Sequence, residues 1–159
     1  MMRVGLGYDV HRLKIGLRLV LGGVEIPFTA GLEGHSDADV VVHAVIDALL
    51  GAAALGDIGQ HFPNTDPNFK DVSSVELLHQ VVGIVQAAGY RIGNIDAMVV
   101  AERPRLAPYI HEMRSVLATV LQVPEQAVSV KATTNEGLGL EGRGEGISAQ
   151  AVALLERVE

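Results

Sequence analysis

From Arg3 to His11 the chain alternates without interruption, with Val4, Leu6, Tyr8 and Val10 on one side and Asp9 and His11 on the other. A period of two over this length belongs to a strand and not to a helix, so the fold must contain a sheet from its first residues. A second β signal follows at once. Leu19–Leu21 and Val24–Ile26 flank Gly22-Gly23, whose glycines supply the positive φ that a two-residue hairpin turn needs, and Pro27 closes the unit. Tyr90 to Ala101 reads as a long strand and Val128 to Ala132 as a short one, while Ile147 to Val158 suits either a helix or a strand.

Helical signals lie between these strands. Gly31 to Gly34 reads as a loop, after which Ser36 can cap a helix running to about Ala54, with Asp37 and Asp39 in its first turn. Ser73-Ser74-Val75-Glu76 has the form of a capping box. Leu77, Leu78, Val81, Val82 and Val85 then make a helical stripe that Gly89 ends. Pro104 to Leu121 suits a third helix, with Pro108 tolerable in its first turn. Leu55 to Lys70, punctuated by Gly56, Gly59, Pro63 and Pro67, reads as a long loop, and loops of that length tend to be functional. Three helices and about five strands predict an α/β sandwich in which the helices cover one face of a mixed sheet. The 159 residues, without repeats or linkers, predict a single domain over residues 1–159. An uncovered sheet face needs a partner, and self-association is the economical solution.

Composition narrows the classes of function. Apolar residues make up 48% of the chain and aromatics 4%, with no Trp, so the core must be built from Val, Leu, Ile and Ala. A formal net charge of -7 with scattered basic residues argues against nucleic acid or an anionic membrane surface as partner. An anionic small substrate would then need metal ions, backbone N–H groups or a few placed cations. The absence of Cys removes disulfides, thiolate zinc sites and Cys nucleophiles together. The N-terminus shows neither a signal-type apolar stretch nor a transit segment, which makes the cytoplasm the expected compartment, and no apolar run is long enough to span a bilayer.

Several short constellations can carry chemistry. Asp9 and His11 project from one face of their strand, and a third ligand from a nearby helix would complete a three-ligand metal site with one open position; the bland alternative is a solvated strand end. His43 is the best third ligand, and Asp39 or Asp47, each one turn away, could orient its imidazole. His35-Ser36 follows Gly34 at a helix start, where free N–H groups favour an anion, or else is simply a cap. Asp57-Ile58-Gly59 with His61-Phe62-Pro63 places a carboxylate able to accept from a sugar hydroxyl in the long loop; a plain turn is the other reading. His61 reads as structural or exposed, and His79 and His111 as surface residues. Thr133-Thr134-Asn135-Glu136-Gly137 brings hydroxyls, backbone N–H groups and a carboxylate together after a strand, where a metal-bound diphosphate could sit. Lys131 and Arg143 flank it as phosphate contacts or surface charges.

Gly7-Tyr8-Asp9-Val10-His11-Arg12, Gly34-His35-Ser36-Asp37-Ala38-Asp39 with His43, Asp57-Ile58-Gly59 and Lys131-Ala132-Thr133-Thr134 occur in this order along the chain. Together they resemble the 2-C-methyl-D-erythritol 2,4-cyclodiphosphate synthase family over essentially the whole length. The resemblance implies cyclisation of 4-diphosphocytidyl-2-C-methyl-D-erythritol 2-phosphate with release of CMP, in non-mevalonate isoprenoid biosynthesis. It implies zinc on Asp9, His11 and His43, a second divalent ion (magnesium or manganese) meeting Glu136, and transition-state stabilisation by His35 and Thr134. Substrate contacts would come from Ser36, Asp57, Ile58, Gly59, Phe62, Asn64, Asp66, Ala101, Arg105, Leu106, Ala107, Thr133, Leu140 and Arg143. It further implies a homotrimer with active sites between protomers, and a strand at Ile147 to Leu155. Asn64, Asn135 and Leu140 depart from residues common in the family. The metal site alone would equally suit a zinc phosphohydrolase acting on a nucleoside diphosphate derivative, or a non-catalytic nucleotide-binding trimer.

Overall fold

Gly5 and Gly7 set how closely helix and sheet meet. A Cβ on Gly5 would lie 2.0 Å from the Ala48 carbonyl oxygen, and one on Gly7 would lie 1.8 Å from that of Ala44. Only glycine lets the first helix lie this close to the first strand. The computed structural model describes residues 1–159. Its elements are β1 (Met2–Ile15), β2 (Leu19–Leu21), β3 (Val24–Ile26), β4 (Ala30–Leu32), α1 (Val40–Ala52), α2 (Ile58–His61), α3 (Ser74–Ala87), β5 (Tyr90–Val100), α4 (Ile110–Leu121), β6 (Val128–Thr133), α5 (Gly139–Gly142) and β7 (Gly146–Arg157). The main sheet runs β4-β1-β7-β5-β6, antiparallel throughout except for the parallel β5–β6 pair. The β2–β3 hairpin stands apart. Its turn has φ of 58° at Gly22 and 75° at Gly23, as the paired glycines predict.

The helix-facing side of the sheet is small and aliphatic. Ala149, Ala151, Ala153 and Leu155 of β7, with Ile95, Ala97 and Val99 of β5, are all buried. They pack beneath α1, α3 and α4 in one core of aliphatic side chains, an α/β fold with a mixed sheet. The opposite side of the sheet has no covering layer. There the apolar residues of β1 point outward, with Val4 67%, Leu6 69% and Tyr8 51% exposed, and Val152 beside them 43% exposed. Apolar alternation in β1 therefore marks the outer face, and the glycines mark the inner one.

Several boundaries differ from the sequence expectation, each for a local reason. Ala30–Leu32 is strand β4 and not loop, paired with Leu13–Ile15. Helix α1 begins at Val40 with Asp39 as its cap, and Ser36 does not cap it. The Asp39 carboxylate accepts from Val42 N (3.1 Å), Gly22 N (2.9 Å) and Gly23 N (2.7 Å), so it caps the helix and clamps the hairpin to it. The capping box at Ser73 does not form, because the Ser74 amide is taken by Asp37 Oδ2 at 3.0 Å and Ser73 makes no side-chain cap bond. Helix α4 starts at Ile110, after a 3-10 turn at Ala107–Tyr109; Pro104 and Pro108 lack N–H groups and disfavour helical conformation in the residues before them. The long loop contains α2 and a 3-10 turn at Pro67–Phe69. The ambiguous tail is the central strand β7, whose small residues suit the tight helix contact.

Candidate metal and substrate site

On β1, the glycine side of the alternation continues through Asp9 to His11, so both side chains emerge on the helix face at the end of the strand. His43, in the first turn of α1, meets them there. One ligand atom from each of Asp9, His11 and His43 lies within 4.8 Å of the others. Asp9 Oδ2 is 2.9 Å from His43 Nδ1 and 3.2 Å from His11 Nε2. The other ring nitrogen of His11 is 2.8 Å from the Glu33 carbonyl oxygen, which can only accept. His11 Nδ1 therefore carries a proton, and Nε2 faces Asp9. Gly34 makes room for this ring, since a Cβ there would sit 3.0 Å from His11 Cε1.

Burial raises the Asp9 pKa, but hydrogen bonds and charge from His11 and His43 outweigh it and bring the carboxyl down to about 2. The His11 imidazole is shifted upward, chiefly by its hydrogen bond to Asp9, against the effect of burial. Both shifts describe one attraction between a carboxylate and facing ring nitrogens. Two imidazoles and one carboxylate, His43 buried and the other two half-buried, face an open cleft as a donor set able to hold a metal ion.

That cleft, of about 210 Å³, is lined by the three cluster residues and by His35, Ser36, Ile58, Gly59, Phe62 and Asn64. Two expected contacts stand differently. Asp57 is exposed beside the cleft, with its carboxylate capping α2 through Gln60 N at 3.0 Å. Asp66 presents its carbonyl oxygen to His35 Nε2 at 3.3 Å and uses its side chain on Asn68 N. His61 is structural, bonded to the Leu55 carbonyl at 2.8 Å, and His79 and His111 are exposed.

Ala101, Arg105, Leu106, Ala107, Thr133 and Thr134 line a second cleft, of about 410 Å³, beside the edge strand β6. Asp9 pairs with Ala149, Ala149 with Val99 and Val99 with Ala132, so three strand spacings, roughly 14 Å, separate the two rims. Glu136 follows Thr134, whose hydroxyl accepts the Glu136 amide at 3.2 Å, and neither Glu136 nor Leu140 lines either cleft. Arg143 pairs with Glu145 at 3.0 Å and borders a third hollow with Leu13, Ile15 and Phe28. Lys131 pairs with Asp96 at 2.9 Å. One chain thus gathers the metal cluster with His35 and Ser36, and leaves Thr133, Thr134 and the 101–107 segment elsewhere.

The carboxylates expected to orient His43 do not reach it. Asp39 is committed to the hairpin, and Asp47 accepts from Ile58 N at 2.8 Å, holding α2 against the cleft. Burial pushes the Asp47 carboxyl upward, with Asp57 and Asp9 adding to the effect and Ile58 N opposing it. The partners of His43 Nε2 are instead Ser74 Oγ at 2.8 Å and Ser36 Oγ at 3.1 Å. Ser74 went unnoticed in the sequence because a serine at a helix start has the look of a cap.

The profile of the YgbB family matches residues 2–156. A 2-C-methyl-D-erythritol 2,4-cyclodiphosphate synthase of Syntrophomonas wolfei is 64% identical over 98% of this chain and 99% of its own. Among solved structures, the bifunctional IspDF of Campylobacter jejuni superposes with a TM-score of 0.96 at 42% identity; the match covers all of this chain and 43% of that longer one. The IspF of Plasmodium falciparum, solved as a CDP complex, gives 0.87 at 33% identity over 99% of this chain and 97% of its own.

Proposed function

The chain belongs to the YgbB family, and on that premise we propose that it cyclises 4-diphosphocytidyl-2-C-methyl-D-erythritol 2-phosphate to 2-C-methyl-D-erythritol 2,4-cyclodiphosphate with release of CMP. It is an enzyme of isoprenoid biosynthesis, a lyase acting at a phosphorus–oxygen bond. The observation that carries this reading is the convergence of Asp9, His11 and His43 on one cleft, at the positions where the family motifs lie.

In this reaction the 2-phosphate oxygen attacks the phosphorus attached to the erythritol, and the bond from that phosphorus to CMP breaks. The attacking oxygen is ionised near neutral pH and CMP leaves as a phosphate monoester, so no strong base is needed. Positioning and charge neutralisation carry the rate. Asp9, His11 and His43 would hold zinc, Glu136 would meet a second divalent ion (magnesium or manganese), and such ions neutralise and polarise the diphosphate. His35, in the same cleft, and Thr134 stabilise the transition state, and Ser36, Ile58, Gly59, Phe62 and Asn64 fix the erythritol end. Asp57 and Asp66, at the cleft margin, reach its hydroxyls on small side-chain movements. The second cleft takes the cytidine diphosphate part through Ala101, Arg105, Leu106, Ala107 and Thr133; the CDP complex of the Plasmodium falciparum relative supports this assignment.

The two clefts must meet for this chemistry, and a homotrimer that sets one protomer's metal cluster against a neighbour's nucleotide cleft would join them. The uncovered apolar face of the sheet supports such an assembly. In it, Leu140 and Arg143 would stand near the axis. No helix is long and apolar enough to cross a membrane, in keeping with a cytoplasmic setting. Incubation with the full substrate tests the reading: CMP and a cyclic diphosphate phosphorus NMR signature are expected. CMP with an open-chain product would instead mean hydrolysis.

A further inference from the structure

Ser74 is fully buried, yet it bonds to two polar side chains at once. Its hydroxyl bonds to Asp37 Oδ1 and lies 2.8 Å from His43 Nε2, and its amide donates to Asp37 Oδ2 at 3.0 Å. The direction of these bonds follows from the inventory of protons. The Asp37 carboxylate accepts from the Ser74 amide and from the Asp39 amide at 3.2 Å, and so has no proton to offer the hydroxyl. Ser74 must give its single hydroxyl proton to Asp37. Toward His43 its oxygen can then only accept, so His43 Nε2 carries a proton. Ser36 Oγ, which accepts from the Ala38 amide at 3.2 Å, offers that N–H a second acceptor at 3.1 Å. With Nε2 holding its proton, Nδ1, 2.9 Å from Asp9 Oδ2 and beside the ligand atom of His11, is the nitrogen a metal would take.

We propose that Ser74, polarised by Asp37, is a positioning residue that fixes the tautomer of His43 so that Nδ1 is presented to a divalent metal. The proposal rests on the metal reading of Asp9, His11 and His43. It parallels what the Glu33 carbonyl does for His11, with a hydroxyl relayed to a carboxylate in place of a backbone oxygen. Asp37 lies between β4 and α1 and Ser74 opens α3, so the arrangement ties the ligand's protonation to the packing of α3 against α1. A merely structural serine would stabilise the start of α3 and leave the ring nitrogens of His43 unaffected.

The test is nitrogen-15 NMR of the histidine rings combined with zinc titration of the metal-free protein. In the wild type, His43 should show a protonated Nε2 both before and after zinc is added. A wild-type His43 with an unprotonated Nε2 overturns the proposal whether or not any variant folds. Ser74→Ala should give a mixture of tautomers and a 10- to 100-fold loss of zinc affinity. Ser74→Thr, which keeps the hydroxyl, should recover most of that affinity. An unchanged His43 pattern in Ser74→Ala, with zinc affinity within about twofold of wild type, would assign Ser74 a structural role only. If the wild type bound no zinc, the metal reading itself would fall, and the His43 tautomer would still decide the role of Ser74.

Discussion

His11 Nε2 and Asp9 Oδ2 face each other at 3.2 Å, and a metal bound there must displace any proton held between them. Because the His11 pKa is raised above 6.5 by Asp9, protonation of Nε2 competes with metal over a range that reaches above that value. Asp9, lowered to about 2, stays ionised across the same range and adds no competing proton. Zinc affinity should therefore rise with pH up to the raised His11 value and level off above it. Below that value it should fall by about tenfold per pH unit for each imidazole proton displaced. Calorimetric titration at several pH values checks this; an affinity independent of pH between about 5 and 8 would remove His11 as a ligand. His43→Ala should lose bound zinc and CMP release together while keeping its circular dichroism spectrum, and full zinc occupancy in that variant would sink the ligand assignment. Asp9 and His11 were legible in the sequence because a two-residue spacing on a strand forces a shared face. That His43 joins them was also legible, but the partner of its ring was not. The candidates considered, Asp39 and Asp47, were those within a helical turn, whereas Ser74 comes from a different helix, 31 residues away.

Among the elements, α1 depends on two contacts that local sequence reads only in part. One is Gly7 beneath Ala44, where an added Cβ would fall 1.8 Å from a carbonyl oxygen. Gly7→Ala should push α1 away from β1 and destabilise the fold by about 1–3 kcal/mol. Since Ala44 adjoins His43, the same change should weaken zinc binding, and urea melts with metal analysis would read both effects. The other is Asp39, whose burial raises its carboxyl to about 6 even though three backbone amides favour the anion. Asp39→Ala would leave those amides unpaired and should cost about 3 kcal/mol, read as a lower urea midpoint. The start of α1 was misplaced for this reason. Ser36, Asp37 and Asp39 all have the chemistry of a cap, and the choice among them is made by the hairpin, which takes Asp39, and by α3, which takes Asp37. The start of α4 was misplaced because two prolines delay it, although its buried residues Met113, Leu117 and Leu121 follow helical spacing. Strand β7 was ambiguous because its alanines, needed for close contact with α1, favour helix in isolation.

At the scale of the whole molecule, the distribution of chemistry and of exposed surface make the same demand. Asp9 and Ala132, at the rims of the two clefts, stand three strand spacings, roughly 14 Å, apart in one chain, so the clefts open separately. Val4, Leu6 and Tyr8 meanwhile form an apolar stripe open to solvent on the outer face of β1. The alternation that announced a strand in the sequence could not say which side was inner, since glycines are not ordinarily core residues; only their contact with α1 decides it. If the stripe is the contact that brings neighbouring protomers together, Leu6→Glu should abolish assembly without disturbing the core, because the side chain is 69% exposed. The monomer should keep its thermal transition and bind zinc, since Asp9, His11 and His43 all belong to one chain. CMP release should fall on the order of 100-fold or more, because the metal cluster would no longer meet a neighbour's proposed nucleotide cleft. Size-exclusion chromatography with light scattering, zinc analysis and the CMP assay on the same sample separate these effects. A folded, zinc-loaded monomer with wild-type turnover would show that one chain completes the site by itself.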